Sequence, residues 1–343
     1  MREALFIKRN AAKWEKFQQV PAESADEKAD RFITLLDDLA YSRTFYPQSK
    51  VTRWINHIAA GIYQQIYQNK KERLTRLRTF WTHELPLVFY KHRKILLFTF
   101  CFFLFCLLFG VISAAKDPTF IKGILGEDYV AMTEENIEKG DPFGVYRDDD
   151  KFTMFVWIAI NNIKVAFTSF VYGIFFGIGT LWILFYNGIM VGAFEQMFFA
   201  KGLGMQSVLV IWIHGTIEIL SIVVAGCAGL VMGWGFLFPG TYSRKVAFRL
   251  AVKDAIKIIL ALVPFFLAAA LLESYVTFQM SDTFSTGGTG KGLPVWAGVS
   301  ILIISVFIMI GFFVLLPLRR GRAIYRQQTL RMQTVLTLQP LEA

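Results

Sequence analysis

Apolar and polar residues alternate along this chain on two scales, and the scale changes near residue 94. Before that point, apolar positions recur at helical spacing inside polar sequence: Trp14, Phe17 and Val20; Phe32, Leu35, Leu36 and Leu39; Trp54, Ile58, Ile62 and Ile66. Side chains three or four residues apart share a helix face, so the pattern predicts three or four short amphipathic helices. Ser24, with Asp26 and Glu27 after it, has the form of a capping box and marks a helix start. Segment 72–94 is basic and aromatic, which suits a membrane surface, and Pro86 predicts a kink in it.

After residue 94 the apolar runs lengthen to the size of membrane spans. The run 95–115 is uninterrupted, and about 20 apolar residues cross the roughly 30 Å of hydrocarbon. Residues 152–200 are almost continuously apolar; as one helix they would reach about 70 Å at about 1.5 Å per residue, so the chain must turn back. Gly173, Gly177 and Gly179 are the preferred break, and Tyr186-Asn187-Gly188 is the rival. The predicted spans are 95–115, 152–174, 178–199, 206–236, 255–277 and 295–317. The fold class is all-α: a polytopic membrane protein of about six transmembrane helices with an amino-terminal cytoplasmic helical domain. Its parts are 1–94, the transmembrane domain 95–317 with an outer loop 116–151, and a basic tail 318–343. Within the outer loop, 127–139 carries helix signals and 140–144 reads as a turn; 278–294 reads as a flexible polar loop.

Charge orients these spans. Lys91, Arg93 and Lys94 precede the first span, and the loop 116–151 holds ten acidic against five basic side chains. Arg244, Lys245, Arg249 and Lys253 follow the fourth span, and Arg319, Arg320 and Arg322 follow the sixth. By the positive-inside rule both termini are cytoplasmic. Composition agrees: 55% hydrophobic, 18% charged, 34 phenylalanines. A net charge of +10 would alone also suit nucleic acid, but the basic residues flank the spans, which assigns them to topology and the lipid bilayer rather than to nucleic acid. Cys101, Cys106 and Cys227 lie in apolar runs without metal-ligand spacing and read as packed thiols. The amino terminus lacks the apolar core of a signal peptide.

Soluble-enzyme signatures are missing: no Walker A, no GxSxG, no paired Cys/His site. Residues 287–292, GGTGKG, lack the phosphate-loop form and read as a linker. No catalytic residue, metal or cofactor is expected, and the chain reads as non-enzymatic. Interest therefore falls on polar groups inside spans, where an unpaired ionisable side chain is costly. His214 and Glu218 are four apart in span four, with Gly215 beside them offering close backbone approach. Span two opens with Asn161, Asn162 and Lys164, and span three carries Asn187 and Glu195. One arrangement gathers His214, Glu218, Asn161, Asn162 and Asn187 into a buried cluster between spans two, three and four, with Lys164 a further partner for Glu218. Glu273, near the outer end of span five, is placed at the interface. Gly173 and Gly177, Gly188 and Gly192, and Gly229 and Gly233 make three GxxxG spacings for helix contact, pointing to a homo-oligomer with a dimer favoured. For the polar cluster, hydrogen-bonded glue between helices is the leading reading and an ion or substrate path the second. A metal site comes last, because His214 and Glu218 make only two ligands.

Taken together, MREALFIKRNAAKWEKF, the asparagines at 161 and 162, NGIMVG at 187–192 and HGTIEI at 214–219 resemble the stage II sporulation protein M family of polytopic membrane proteins. The family's founder is a membrane component of the cell-wall-degrading machinery of engulfment, a scaffold for two peptidoglycan-remodelling partners. The resemblance therefore implies a membrane scaffold working with other envelope membrane proteins. The long amino-terminal region, the acidic loop and the sixth span set this chain in a broader branch, to which the sporulation role does not carry over. A transporter or channel built on the polar cluster is the alternative, and an intramembrane enzyme the next.

Overall fold

The computed structural model describes all residues except 1, 21, 23, 68–74, 145–149, 286–291 and 339–343. Among them every regular element is helical, and the chain divides into two compact units, Met1–Arg76 and Leu77–Ala343.

The first unit holds three helices: α1 (Glu3–Gln19), α2 (Ala25–Phe45) and α3 (Lys50–Tyr67). Ser24 caps α2, its side chain accepting the Glu27 N–H at 3.0 Å. The core gathers Phe6, Trp14, Leu35, Leu39, Val51, Ile55, Ile58 and Ile62. Three residues expected on the apolar stripes, Val20, Leu36 and Ile66, are exposed instead. Leu36 lies about 100° around the helix from Leu35, so only one of the two can face the core. Trp14 is fully buried and donates from Nε1 to Asp38 Oδ2 at 2.7 Å. Trp14→Phe keeps most of the ring but loses this charge-assisted bond, and should weaken the unit by about 2 kcal/mol. Urea-dependent proteolysis of the full chain, read at sites within residues 1–67, measures it; an unchanged midpoint would show that the bond contributes nothing.

The short helix α4 (Thr75–Thr79) spans the boundary between the units in sequence, and a π-helical turn and α5 (Leu85–Lys91) follow it in the second. The surface placement expected for 72–94 needs correction. Residues 72–74 lie outside the described residues, but Leu85, Val88 and Phe89 are buried in the main core. Phe89 meets Phe313 edge-on at 5.0 Å, and a side chain at Gly321 would strike the Pro86 carbonyl. Salt bridges from Lys91 to Asp254 (2.7 Å) and from Lys257 to Glu84 (2.7 Å) hold the segment's polar side.

Among the described residues, six helices are long and apolar enough to cross a membrane: Arg93–Lys116, Lys151–Ile174, Ile178–Ala200, Gly204–Leu237, Arg244–Thr283 and Val295–Leu330. In element terms these contain α6 (Arg93–Lys116), α9 (Lys151–Val171), α10 (Ile178–Ala200), α11 (Gly204–Leu237), α12 (Arg244–Leu271) with α13 (Phe278–Thr283), and α14 (Val295–Ile310) running into α15 (Arg322–Leu338). Two short helices, α7 (Pro118–Leu125) and α8 (Glu127–Glu138), fill the connection after α6. At the start of α9, Asp150 accepts both the backbone N–H (3.0 Å) and the hydroxyl (2.9 Å) of Thr153. These bonds hold its carboxyl below the usual range. The cap's contribution is therefore present at neutral pH and lost as pH falls through that lowered value.

The reversal in 152–200 falls at residues 175–177, where Phe176 (φ 54°) and Gly177 (φ 85°) adopt left-handed backbone. The rival Tyr186-Asn187-Gly188 lies inside α10. The fifth apolar helix runs on to Thr283, further than the 277 expected, through a π-helical segment Leu272–Thr277.

Helix α11 is the hub, packed against α6, α9, α10, α12 and α14. It is largely apolar and buried along most of its length, with Met205, Phe236 and Leu237 near its ends exposed. Small residues make this crowding feasible. A Cβ at Gly229 would lie 2.6 Å from the Ser169 carbonyl oxygen, one at Gly188 would lie 2.8 Å from the Cys106 Cβ, and one at Gly192 would strike the Leu107 carbonyl. Large side chains such as Phe105, Trp157 and Phe307 stay exposed on the outside of the bundle, as lipid-facing positions require.

Candidate functional site

His214 and Glu218 stand one turn apart on α11, and the structure adds partners from two other helices. The π-helical segment after α12 presents Glu273 and Thr277, also four residues apart, to the same place. His214 Nδ1 lies 2.8 Å from Thr277 Oγ1, and His214 Nε2 lies 3.9 Å from Glu273 Oε2. One ligand atom each from His214, Glu218 and Glu273 falls within 4.8 Å of the others. From α9, the Asn162 amide lies in range of the Glu218 carboxyl, yet its Nδ2 reaches no well-aligned acceptor. His214 and Asn162 are 5% and 4% exposed, so the centre of the site is buried. Tyr129 of α8 stands within electrostatic range of Glu273, bringing the α6–α9 connection to the edge of the cluster.

Several expected members are elsewhere. Asn161 and Lys164 are exposed, because positions one before and two after Asn162 turn about 100° and 200° away from it around α9; Lys164 is therefore no partner for Glu218. Asn187 is half-buried and donates to its own helix at the Ile183 carbonyl, 2.8 Å away; the neighbouring Gly188 and Gly192 turn to α6. Gly215 meets only Ile219 and Ile211 of its own helix, at ordinary contact distances, so it mediates no close helix approach. Glu273, assigned to the interface from sequence, belongs to the cluster. Its signal was present as an Glu-x-x-x-Thr spacing, but nothing in the sequence pairs it with span four.

Glu195 makes a second buried polar contact. It accepts from Ser207 Oγ at 2.8 Å and from Trp212 Nε1 at 2.7 Å. Both carboxylate oxygens are satisfied by uncharged donors, which is the pattern of a helix tie between α10 and α11. The main cluster differs, because two carboxylates and an imidazole converge with no lysine or arginine salt bridge to them among the described residues.

The profile of the family described as Stage II sporulation protein M matches residues 99–278. The chain belongs to the stage II sporulation protein M family. Every residue of the cluster, from Tyr129 to Thr277, falls inside the part matched to the stage II sporulation protein M profile. A separate profile, a domain of unknown function, matches residues 4–68, which lie in the first unit. An uncharacterized protein of Methanocaldococcus jannaschii is 20% identical over 194 residues, 56% of this chain and 85% of its own. No solved structure matches.

Proposed function

We propose that this member of the family is a non-enzymatic scaffold of the bacterial cytoplasmic membrane, with both termini cytoplasmic. Its membrane body anchors an amino-terminal unit that binds other envelope membrane proteins. The observation that carries this reading is the surface of that unit. Ile33 and Leu36 on α2, and Tyr63 and Ile66 on α3, are exposed, each pair three residues apart on one helix face. Apolar side chains left in water on one face mark a surface that a partner covers. The basic flanks around Arg93, Arg244 and Arg319 support the orientation. A homodimer also fits a scaffold, but the GxxxG faces are already occupied within the chain, so such a dimer uses lipid-facing side chains. Photo-crosslinkers at positions 33 and 63 of the full chain test the proposal in membranes. They should capture a second envelope membrane protein, and Leu36→Asp with Ile66→Asp, beside the crosslinkers on the same helix faces, should abolish that capture without lowering the melting temperature. Capture of nothing but lipid would sink the reading.

The buried cluster favours a second reading, cation or proton transport. Two carboxylates this close in a medium of low dielectric do not both carry charge without a proton or a cation between them. Proteoliposome flux that is lost in Glu218→Gln and in His214→Ala would support it; flux absent from the unaltered protein would end it.

A further inference from the structure

We propose that His214, Glu218 and Glu273 form a binding site for one divalent transition-metal ion of the zinc or manganese class. The ligand set is one imidazole nitrogen and two carboxylate oxygens, drawn from α11 and the π-helical segment after α12. Three protein ligands with a position left open is a recurrent arrangement for zinc and its neighbours. An imidazole among the ligands selects these metals over magnesium and calcium, which take oxygen ligands.

The spacing fits. Ligands about 2.1 Å from a tetrahedral ion stand about 3.4 Å apart. His214 Nε2 and Glu273 Oε2 are 3.9 Å apart, too far for a hydrogen bond, and the three ligand atoms fall within 4.8 Å of one another. Small side-chain rotations close the set around an ion. Charge fits as well, since one doubly positive ion balances two carboxylates that have no salt bridge to a lysine or arginine among the described residues.

The surroundings are those of a metal site. In the tautomer whose Nδ1–H donates to Thr277 Oγ1 at 2.8 Å, the ring keeps its Nε2 lone pair toward the carboxylates. An outer hydrogen bond of this kind sets both tautomer and ring angle in metal-bound histidines. Asn162, 4% exposed, holds an amide N–H without an aligned acceptor beside Glu218, where it can orient the carboxylate as that group turns to the metal.

This inference is independent of the scaffold reading and names an occupant for the cluster under the transport reading. The test uses the full chain, purified in detergent, stripped with chelator, and titrated separately with zinc, manganese, cobalt and magnesium chlorides. Elemental analysis should give one zinc or manganese per chain, and cobalt should produce the visible spectrum of a nitrogen- and oxygen-ligated ion. His214→Gln and Glu273→Gln should each abolish that equivalent. Thr277→Val, a positioning change, should weaken affinity about 10- to 100-fold while leaving the cobalt spectrum in place. Failure of the unaltered, folded protein to bind an equivalent of any transition metal would overturn the proposal. So would binding that survives His214→Gln and Glu273→Gln, or a preference for magnesium. Flux that persists in the metal-free protein would remove the metal and leave the transport reading standing.

Discussion

Leucine at Gly173 or Gly233 should prevent the membrane body from folding, and alanine at either should lower its stability by about 1–3 kcal/mol. The reason is the identity of the atoms that a new side chain would meet. A Cβ at Gly173 would strike the Gly229 carbonyl oxygen and lie 2.7 Å from that residue's Cα. A Cβ at Gly233 would strike the Gly177 nitrogen and lie 2.6 Å from the Gly173 carbonyl oxygen. All of these are backbone atoms, which cannot rotate aside as a flexible side chain can, so the reversal between α9 and α10 would have to lift off α11. Gly177 sits in that reversal with φ 85°, where an added Cβ is also conformationally unfavourable. Gly61 and Gly311 are the controls, because a Cβ there meets nothing within 4 Å. Thermal melting in one detergent compares the set. Gly173→Ala and Gly233→Ala should melt well below the unaltered protein and Gly311→Ala should not; equal melting of all three would show that the helices do not approach so closely.

Those glycines also show what the sequence could and could not reveal. Run length exposed the apolar helices, and the excess length of 152–200 required a turn, because these follow from local composition and the thickness of a bilayer. The GxxxG spacings announced close contact but not with what: Gly188 and Gly192 receive α6, while Gly173, Gly229 and Gly233 close the reversal onto α11. Which of two adjacent asparagines faces inward was equally hidden, since Asn161 and Asn162 differ by about 100° around a helix whose buried face is set by its neighbours. The site was half legible. His214 and Glu218 announce themselves by their i, i+4 spacing within one span. Glu273 and Thr277 lie more than 50 residues away, in a π-helical segment that widens the helix just where they turn toward α11, and nothing local forecasts such a segment. The same limit placed α5 on a membrane surface: its basic and aromatic sequence suits that position, and only the distant Phe313 and Gly321 show why it is buried.

Removing the imidazole from the cluster should be the most damaging single change among its ionisable groups. His214→Leu, measured with chelator present, should lower the stability of the membrane body by about 1–3 kcal/mol, the usual loss when a buried hydrogen-bonding group is deleted and its partner left unsatisfied. The change strips Thr277 of its ring partner and leaves Glu218 and Glu273 without the imidazole beside them. Glu273→Gln acts in the opposite sense, because an amide of the same shape replaces one of the two carboxyl groups and can donate to the other. It should therefore cost under about 1 kcal/mol in metal-free protein, even though it removes a proposed ligand. The double change His214→Leu with Glu273→Leu should recover much of the single loss, since apolar side chains then fill the space without a stranded carboxylate pair. Melting curves for the three variants carry the decision in their order. If His214→Leu melts with the unaltered protein, the imidazole does not couple the carboxylates. If the double variant falls below His214→Leu, the loss came from packing around α11 rather than from charge.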